Sequence, residues 1–120
     1  MKQIESFEES LQKTGLPVVD YSNHPEKLRE YFERQYQAVV VTEAINDGWV
    51  ADYNDPTQKK WFPVFVADSS SPSGFVFLCS GCTCSDASAG DASRLCFKSK
   101  ADADYAGKTF TEIYAGIISK

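Results

Sequence analysis

Apolar positions recur at three- and four-residue spacing up to Asn46, alternate through the middle of the chain, and return to helical spacing after Ser99. Ile4, Phe7 and Leu11 share one face of a helix predicted over residues 4–14. Ser6 and Glu9 there have capping-box spacing, and Gly15 is a ready stop. Residues 16–21 follow as an extended connector, because Pro17 disfavours helix at the residue before it. A second helix is predicted over residues 24–47, with Asn23 as N-cap, Pro25 in the first turn and Glu26 at the capping-box position. Leu28, Tyr31, Phe32, Tyr36, Val39 and Val40 form its broad apolar face. The run Ala38-Val39-Val40-Val41-Thr42 has strand propensity. The helical pattern enters it without a break, however, and Gly48 supplies a stop, which favours helix.

Residues 61–67 and 75–79 alternate as strands across a polar loop at 68–74, with Pro63 placing the first at an edge or bulge. Residues 80–92 are small and polar, which predicts a surface loop. A third strand is predicted over 94–98, with Leu95 and Phe97 on one face. Ser99 and Asp102 open a last helix over 99–118, whose apolar face is Ala103, Ala106, Phe110, Ile113, Tyr114 and Ile117. Gly107 lies within that face, costs about 1 kcal/mol against Ala in a helix, and so predicts a close packing contact. The expected fold is α+β, one domain over 1–120, with three helices packed on a small three-stranded antiparallel sheet.

Composition narrows the function classes. The net charge of −5 arises mainly in residues 1–47, where five Lys or Arg face nine Asp or Glu. There is no basic stripe to neutralise phosphates, so direct nucleic-acid binding is not expected. The acidic region reads as a solvated face and only secondarily as an imitation of a phosphate backbone. No apolar run approaches the roughly 18 residues of a membrane span. Acids also interrupt the first nine residues where a secretory leader needs an apolar segment, so the expected location is cytoplasmic.

The chemistry-bearing residues are few. Cys79, Cys82 and Cys84 stand close together with Cys96 beyond them, and four thiolates could hold a structural Zn²⁺. The spacing is not that of paired Cys-x2-Cys knuckles, and free thiols are the expectation. His24, the single histidine, could activate a thiolate but sits in a helix first turn. Asp52, Asn54 and Asp55 are oxygen donors suited in principle to Ca²⁺, yet beside Pro56 they read as a turn in which Asp and Asn bond their own backbone. With no phosphate loop or nucleophile elbow, the chain is expected to be non-enzymatic and to need no cofactor.

Residues 49–65 mark the change from helical to strand pattern and carry both tryptophans. Trp49, Trp61 and Phe65 are expected to be partly structural. Asp52, Tyr53, Asn54 and Lys59 are expected to be exposed by the turn, and Arg94 is expected beside the aromatic residues. Together Trp49, Asp52, Tyr53, Asn54, Lys59, Trp61 and Arg94 are the candidate partner-binding set, since aromatics and Arg anchor interfaces.

Two blocks carry a resemblance. One runs Asn46-Asp47-Gly48-Trp49-Val50-Ala51-Asp52-Tyr53-Asn54-Asp55 and on through Gln58-Lys59-Lys60-Trp61-Phe62-Pro63-Val64-Phe65. The other is Ser93-Arg94-Leu95-Cys96-Phe97-Lys98-Ser99, followed by Tyr105-Ala106-Gly107-Lys108 and Phe110. With Ser6-Phe7-Glu8 and Pro25-Glu26-Lys27, they resemble a group of small uncharacterised proteins common in gut Bacteroidetes, their prophages and their phages. That pattern usually has a bulkier aromatic at Tyr53 and a proline at Ala51. Cys96 fits it, whereas Cys79, Cys82 and Cys84 stand where aromatics are usual. The resemblance implies a phage or mobile-element setting and no particular activity. The expected function is therefore a non-enzymatic module that binds an unknown protein partner through residues 49–65. The alternative is a thiol- or zinc-dependent protein centred on the cysteines.

Overall fold

In the computed structural model, which describes residues 3–119, the chain opens on a capped helix, α1 (Phe7–Thr14). The Ser6 hydroxyl accepts the Glu9 amide at 3.1 Å, and the Glu9 carboxylate takes the amide of Glu5. Gly15 ends the helix in the left-handed conformation (φ 75°), its amide returning to Leu11 O. Ile4, expected inside this helix, lies before the cap but is still buried.

Helix α2 (Glu26–Asn46) starts later than expected: Pro25 occupies the cap position with no side-chain cap, and Asn23 does not serve. Arg29 instead closes the turn before the helix, donating to the carbonyls of His24 and Ser22 at 2.9 and 3.1 Å. The first half of α2 is largely exposed. Its second half buries Ala38, Val40, Val41, Thr42, Ala44 and Asn46, so it is enclosed on nearly all sides. That burial holds the β-branched run as helix against its local preference, and Thr42 returns its hydroxyl to Ala38 O at 2.7 Å. Asp47 and Gly48 (φ 48° and 95°) turn the chain out of α2.

Strands β1 (Lys60–Ala67) and β2 (Phe75–Thr83) pair antiparallel, from Lys60 opposite Thr83 to Ala67 opposite Phe75. Leu78 is the extra residue of a bulge between Val64 and Phe65. The sheet ends there. The third strand expected over 94–98 is absent, and its place is taken by a single bridge of Trp61 with Phe97, N–O 3.0 and 2.7 Å. Residues 92–95 turn instead, with the Leu95 amide on Ala92 O, and the outer main-chain groups of 96–98 are taken by a side chain from α2 described below. A single 3-10 turn (Ala89–Asp91) lies in the preceding loop.

The last helix is two, so the described residues form four helices on a two-stranded sheet. Ser99 caps α3 (Lys100–Thr109) through the Asp102 amide at 3.1 Å. The break falls at Phe110, before α4 (Thr111–Ser119). The Thr111 hydroxyl occupies Gly107 O at 2.7 Å, the carbonyl that its own amide would take in a continuous helix. The core joins all the layers: Ile4, Ala38, Val41, Ala44, Phe97, Ala103, Ala106, Phe110, Ile113 and Tyr114. Phe65 stacks on Tyr114 at 5.2 Å and meets Phe77 edge-on at 6.1 Å.

Gly107 is where α3 closes on the sheet. A Cβ there would lie 2.4 Å from Phe77 Cδ1 and 2.9 Å from Pro63 Cβ. In an exposed helix Gly→Ala gains up to about 1 kcal/mol. Here overpacking reverses the sign, and Gly107→Ala is expected to lose about 1–3 kcal/mol in chemical denaturation. A gain would mean that α3 stands farther off.

Candidate functional site

Residues 47–60 are built from side chains that satisfy their own main chain. Asp52 Oδ1 accepts the Asn54 amide at 2.9 Å. Asp55 Oδ1 accepts both the amide and the hydroxyl of Thr57, at 2.9 and 2.6 Å. The Thr57 hydroxyl is the first cause that holds the Asp55 carboxyl below its ordinary pKa. The carboxylates considered for Ca²⁺ are thus engaged in the turn. Across its base Gln58 accepts the Asp52 amide at 2.6 Å and donates to Val50 O at 3.1 Å.

The floor of this turn is Lys60, fully buried at 0% exposure. Its ammonium donates to the carbonyls of Cys84, Gln58 and Asp55 at 2.5, 2.9 and 3.3 Å, using all three protons. It also sits 5.0 Å from the centre of the Tyr53 ring. One cation therefore ties the turn to the end of β2. The Tyr53 hydroxyl reaches Cys96 Sγ at 3.9 Å, so this side chain, expected to be exposed, points inward and is half-buried.

Asn46, the last residue of α2, performs the matching task. Its Nδ2 donates to Cys96 O at 2.9 Å and its Oδ1 accepts the Lys98 amide at 3.1 Å. These are the main-chain groups that a neighbouring strand would have paired, while Trp61 holds the other edge of Phe97. Lys98 then donates to Ile45 O at 2.8 Å and to the Asp102 carboxylate, neutralising the end of α2.

Over this junction lies a cleft of about 510 Å³ whose walls include Lys13, Thr14, Val39, Trp49, Ser93 and Arg94. Arg94 is 77% exposed and Lys13 33%. Their acidic neighbours Glu43 and Asp47 stand 3.9 and 3.7 Å away, too far for hydrogen bonds. Of the expected set, then, Trp49 and Arg94 share the cleft. Asp52, Asn54 and Lys59 sit exposed on the turn, and Lys59 lies 6.0 Å from the ring of the half-buried Trp61. Tyr53 and Trp61 face the interior.

The cysteines are spread along the chain: Cys79 and Cys82 exposed on β2, Cys84 half-buried, Cys96 buried beside Tyr53. Among the described residues no group of three or more His, Cys, Asp or Glu is placed to hold a metal ion. His24 packs between Tyr21 and Phe32, with ring centres 5.9 and 4.8 Å away. Sequence reasoning missed Lys60, Gln58, Asn46 and Lys13. The one signal available was a lysine at the start of an apolar strand, where snorkelling to solvent is the ordinary outcome.

Lys60→Met keeps the length of the side chain and removes the ammonium, leaving three carbonyls without their donor. The expected loss is about 2–3 kcal/mol in chemical denaturation, with faster amide exchange at Cys84 and Gln58. An unchanged variant would show that water serves those carbonyls equally well.

A second expectation concerns acid. Because the Asp55 pKa is lowered in the folded chain, its stabilisation is present above the ordinary value of 3.8 and is lost as pH falls through the folded value. Thr57→Val should therefore be less stable than the parent near pH 7, the difference fading as pH falls below the ordinary carboxyl range. A constant difference would assign the effect to packing.

Set against protein-family models, curated proteins and solved structures, the chain matches none, so the reading of this site rests on its own geometry.

Proposed function

We propose that this chain is a non-enzymatic protein-recognition module whose contact surface is the cleft of Trp49 and Arg94. The exposed turn bearing Asp52, Asn54 and Lys59 forms an outlying part of that surface. The observation that carries this reading is the Arg94 guanidinium. It lines a cleft of about 510 Å³ that the half-buried Trp49 also lines, with Glu43 3.9 Å away and no hydrogen bond among the described residues. Arg and Trp are the side chains most enriched at binding hot spots, since one offers a fork of donors and the other a rigid apolar plate. The partner segment that suits them lays an apolar side chain on Trp49 and a carboxylate on Arg94. Tyr53, bound to Lys60 and Cys96, is scaffold in this reading. The resemblance to small proteins of gut Bacteroidetes and their phages is the ground for seeking the partner among host and phage proteins.

Peptide display against the intact chain tests it. Enriched peptides should carry an acidic residue near an aromatic or aliphatic one. They should lose about tenfold or more in affinity to Arg94→Glu, equivalent to about 1.4 kcal/mol. Arg94→Glu should melt with the parent, since the side chain is exposed. Peptides that bind Arg94→Glu and Trp49→Ala as well as the parent would remove the cleft from the surface.

A further inference from the structure

The second edge of the sheet is open. Among the described residues, the main chain of residues 76–83 makes no hydrogen bond beyond its ladder with β1. Natural sheet edges are guarded by lysines, prolines, bulges or a covering segment, and of these β2 has only its bulge at Leu78. Residues 69–85 carry no charged side chain, and residues 75–85 no proline. Leu78 is 59% exposed on the bulge, next to the exposed Cys79. A two-stranded sheet whose edge leaves the eight residues 76–83 without an outer partner is short of strands.

The flank of that edge identifies the occupant. Helix α3 runs antiparallel to β2, with Asp104 bonded to Ser80 at 2.6 Å and Lys108 lying 5.7 Å from the Phe77 ring. Glu112, one turn on, borders Phe75 and Val76 with Lys108. Lys100, Asp104 and Lys108 of α3, with Glu112 of α4 beyond the break at Phe110, thus place charges of alternating sign on the β2 side, Lys100 and Asp104 also pairing with each other at 2.9 Å. Reversed end for end, such a stripe complements itself. Lys100 meets Glu112 of a copy and Asp104 meets its Lys108.

The spacing agrees. Gly107 contacts both Pro63 of β1 and Phe77 of β2, so α3 lies over the line between the strands. If β2 pairs with its own copy, the two α3 axes are separated by one strand spacing plus twice half a spacing. That is about 9.6 Å, inside the usual range for packed helices.

We propose that the open edge of β2 pairs antiparallel with β2 of a second copy of this chain, about a two-fold axis perpendicular to the sheet. The result is a continuous four-stranded sheet flanked by paired α3 helices. The middle of the charge stripe lies level with Cys79, which puts the axis there. Ser80 points to α3, so Cys79 points to the opposite face, where it meets Cys79 of the copy.

Sedimentation equilibrium into the sub-millimolar range should show a dimer. Cys79→Lys, which sets two ammonium groups against each other at an exposed position, should give a monomer of unchanged melting temperature. Lys100→Glu and Glu112→Lys should each weaken the dimer by about fivefold, and the double variant should restore it. With Cys82 and Cys84 changed to Ser, copper-phenanthroline oxidation should trap a disulfide dimer through Cys79. With Cys79→Ser alone, Cys82 should give little. A chain that stays monomeric throughout overturns the proposal. So does a dimer indifferent to Cys79→Lys, or one that oxidation traps only at Cys82. An edge that binds a foreign strand while the chain alone remains monomeric also overturns it.

Discussion

The main chain of residues 96–98 is held from both sides, and the two layers meet there. Trp61 pairs with Phe97 on one edge, while the Asn46 amide takes Cys96 O and the Lys98 amide on the other. A side-chain amide has the donor and acceptor spacing of a peptide group, so one residue at the end of a helix does the work of a strand. The cost of burying Phe97 and Cys96 with unpaired main-chain groups is thereby avoided. Gln58 repeats the device on Val50 and Asp52. Lys60 applies it to three carbonyls at once. The junction between helix and sheet is thus built from single polar side chains, each closing backbone that no regular ladder reaches.

This explains what the sequence could and could not disclose. The caps were legible because a cap is a local contest: Ser6, Gly15 and Ser99 each act within four residues of their partners. Gly107 was legible because glycine in an apolar helical face has few reasons to be there other than close approach. The strand expected over 94–98 had the right alternation, but residues 92–95 turn so that only Phe97 pairs with Trp61, and the outer edge is closed by Asn46, some fifty residues away. The break at Phe110 leaves no mark on the apolar spacing, which runs on through Ala106, Phe110 and Ile113 as in one continuous helix. At Pro25 the expected cap failed because Asn23 lies two residues ahead of the cap position, and Arg29 closes the carbonyls of the preceding turn.

The candidate site divided along the same line. Composition identified residues 49–65 as unusual, and the exposed members Asp52, Asn54 and Lys59 follow from turn chemistry. Which aromatic faces outward was not readable, because Trp49 and Tyr53 sit in the same polar context. Their roles separate only once Lys60 is buried, since its ammonium draws the Tyr53 ring inward. Trp49 remains on the cleft wall with Arg94, a residue forty-five positions away.

The second half of α2 has a further consequence. Ala38-Val39-Val40-Val41-Thr42 is held helical by the core that encloses it, since β-branched residues in series lose more side-chain freedom in a helix than in a strand. The segment is uncharged and free of proline and glycine, the composition of stretches that stack into cross-β fibrils when they are freed. The surrounding layers therefore act as a sheath for this chain as well as its stabiliser. The species to watch during expression, heating or limited proteolysis is one in which α1 or α4 has come away and left residues 38–42 bare, because its fate is aggregation before refolding.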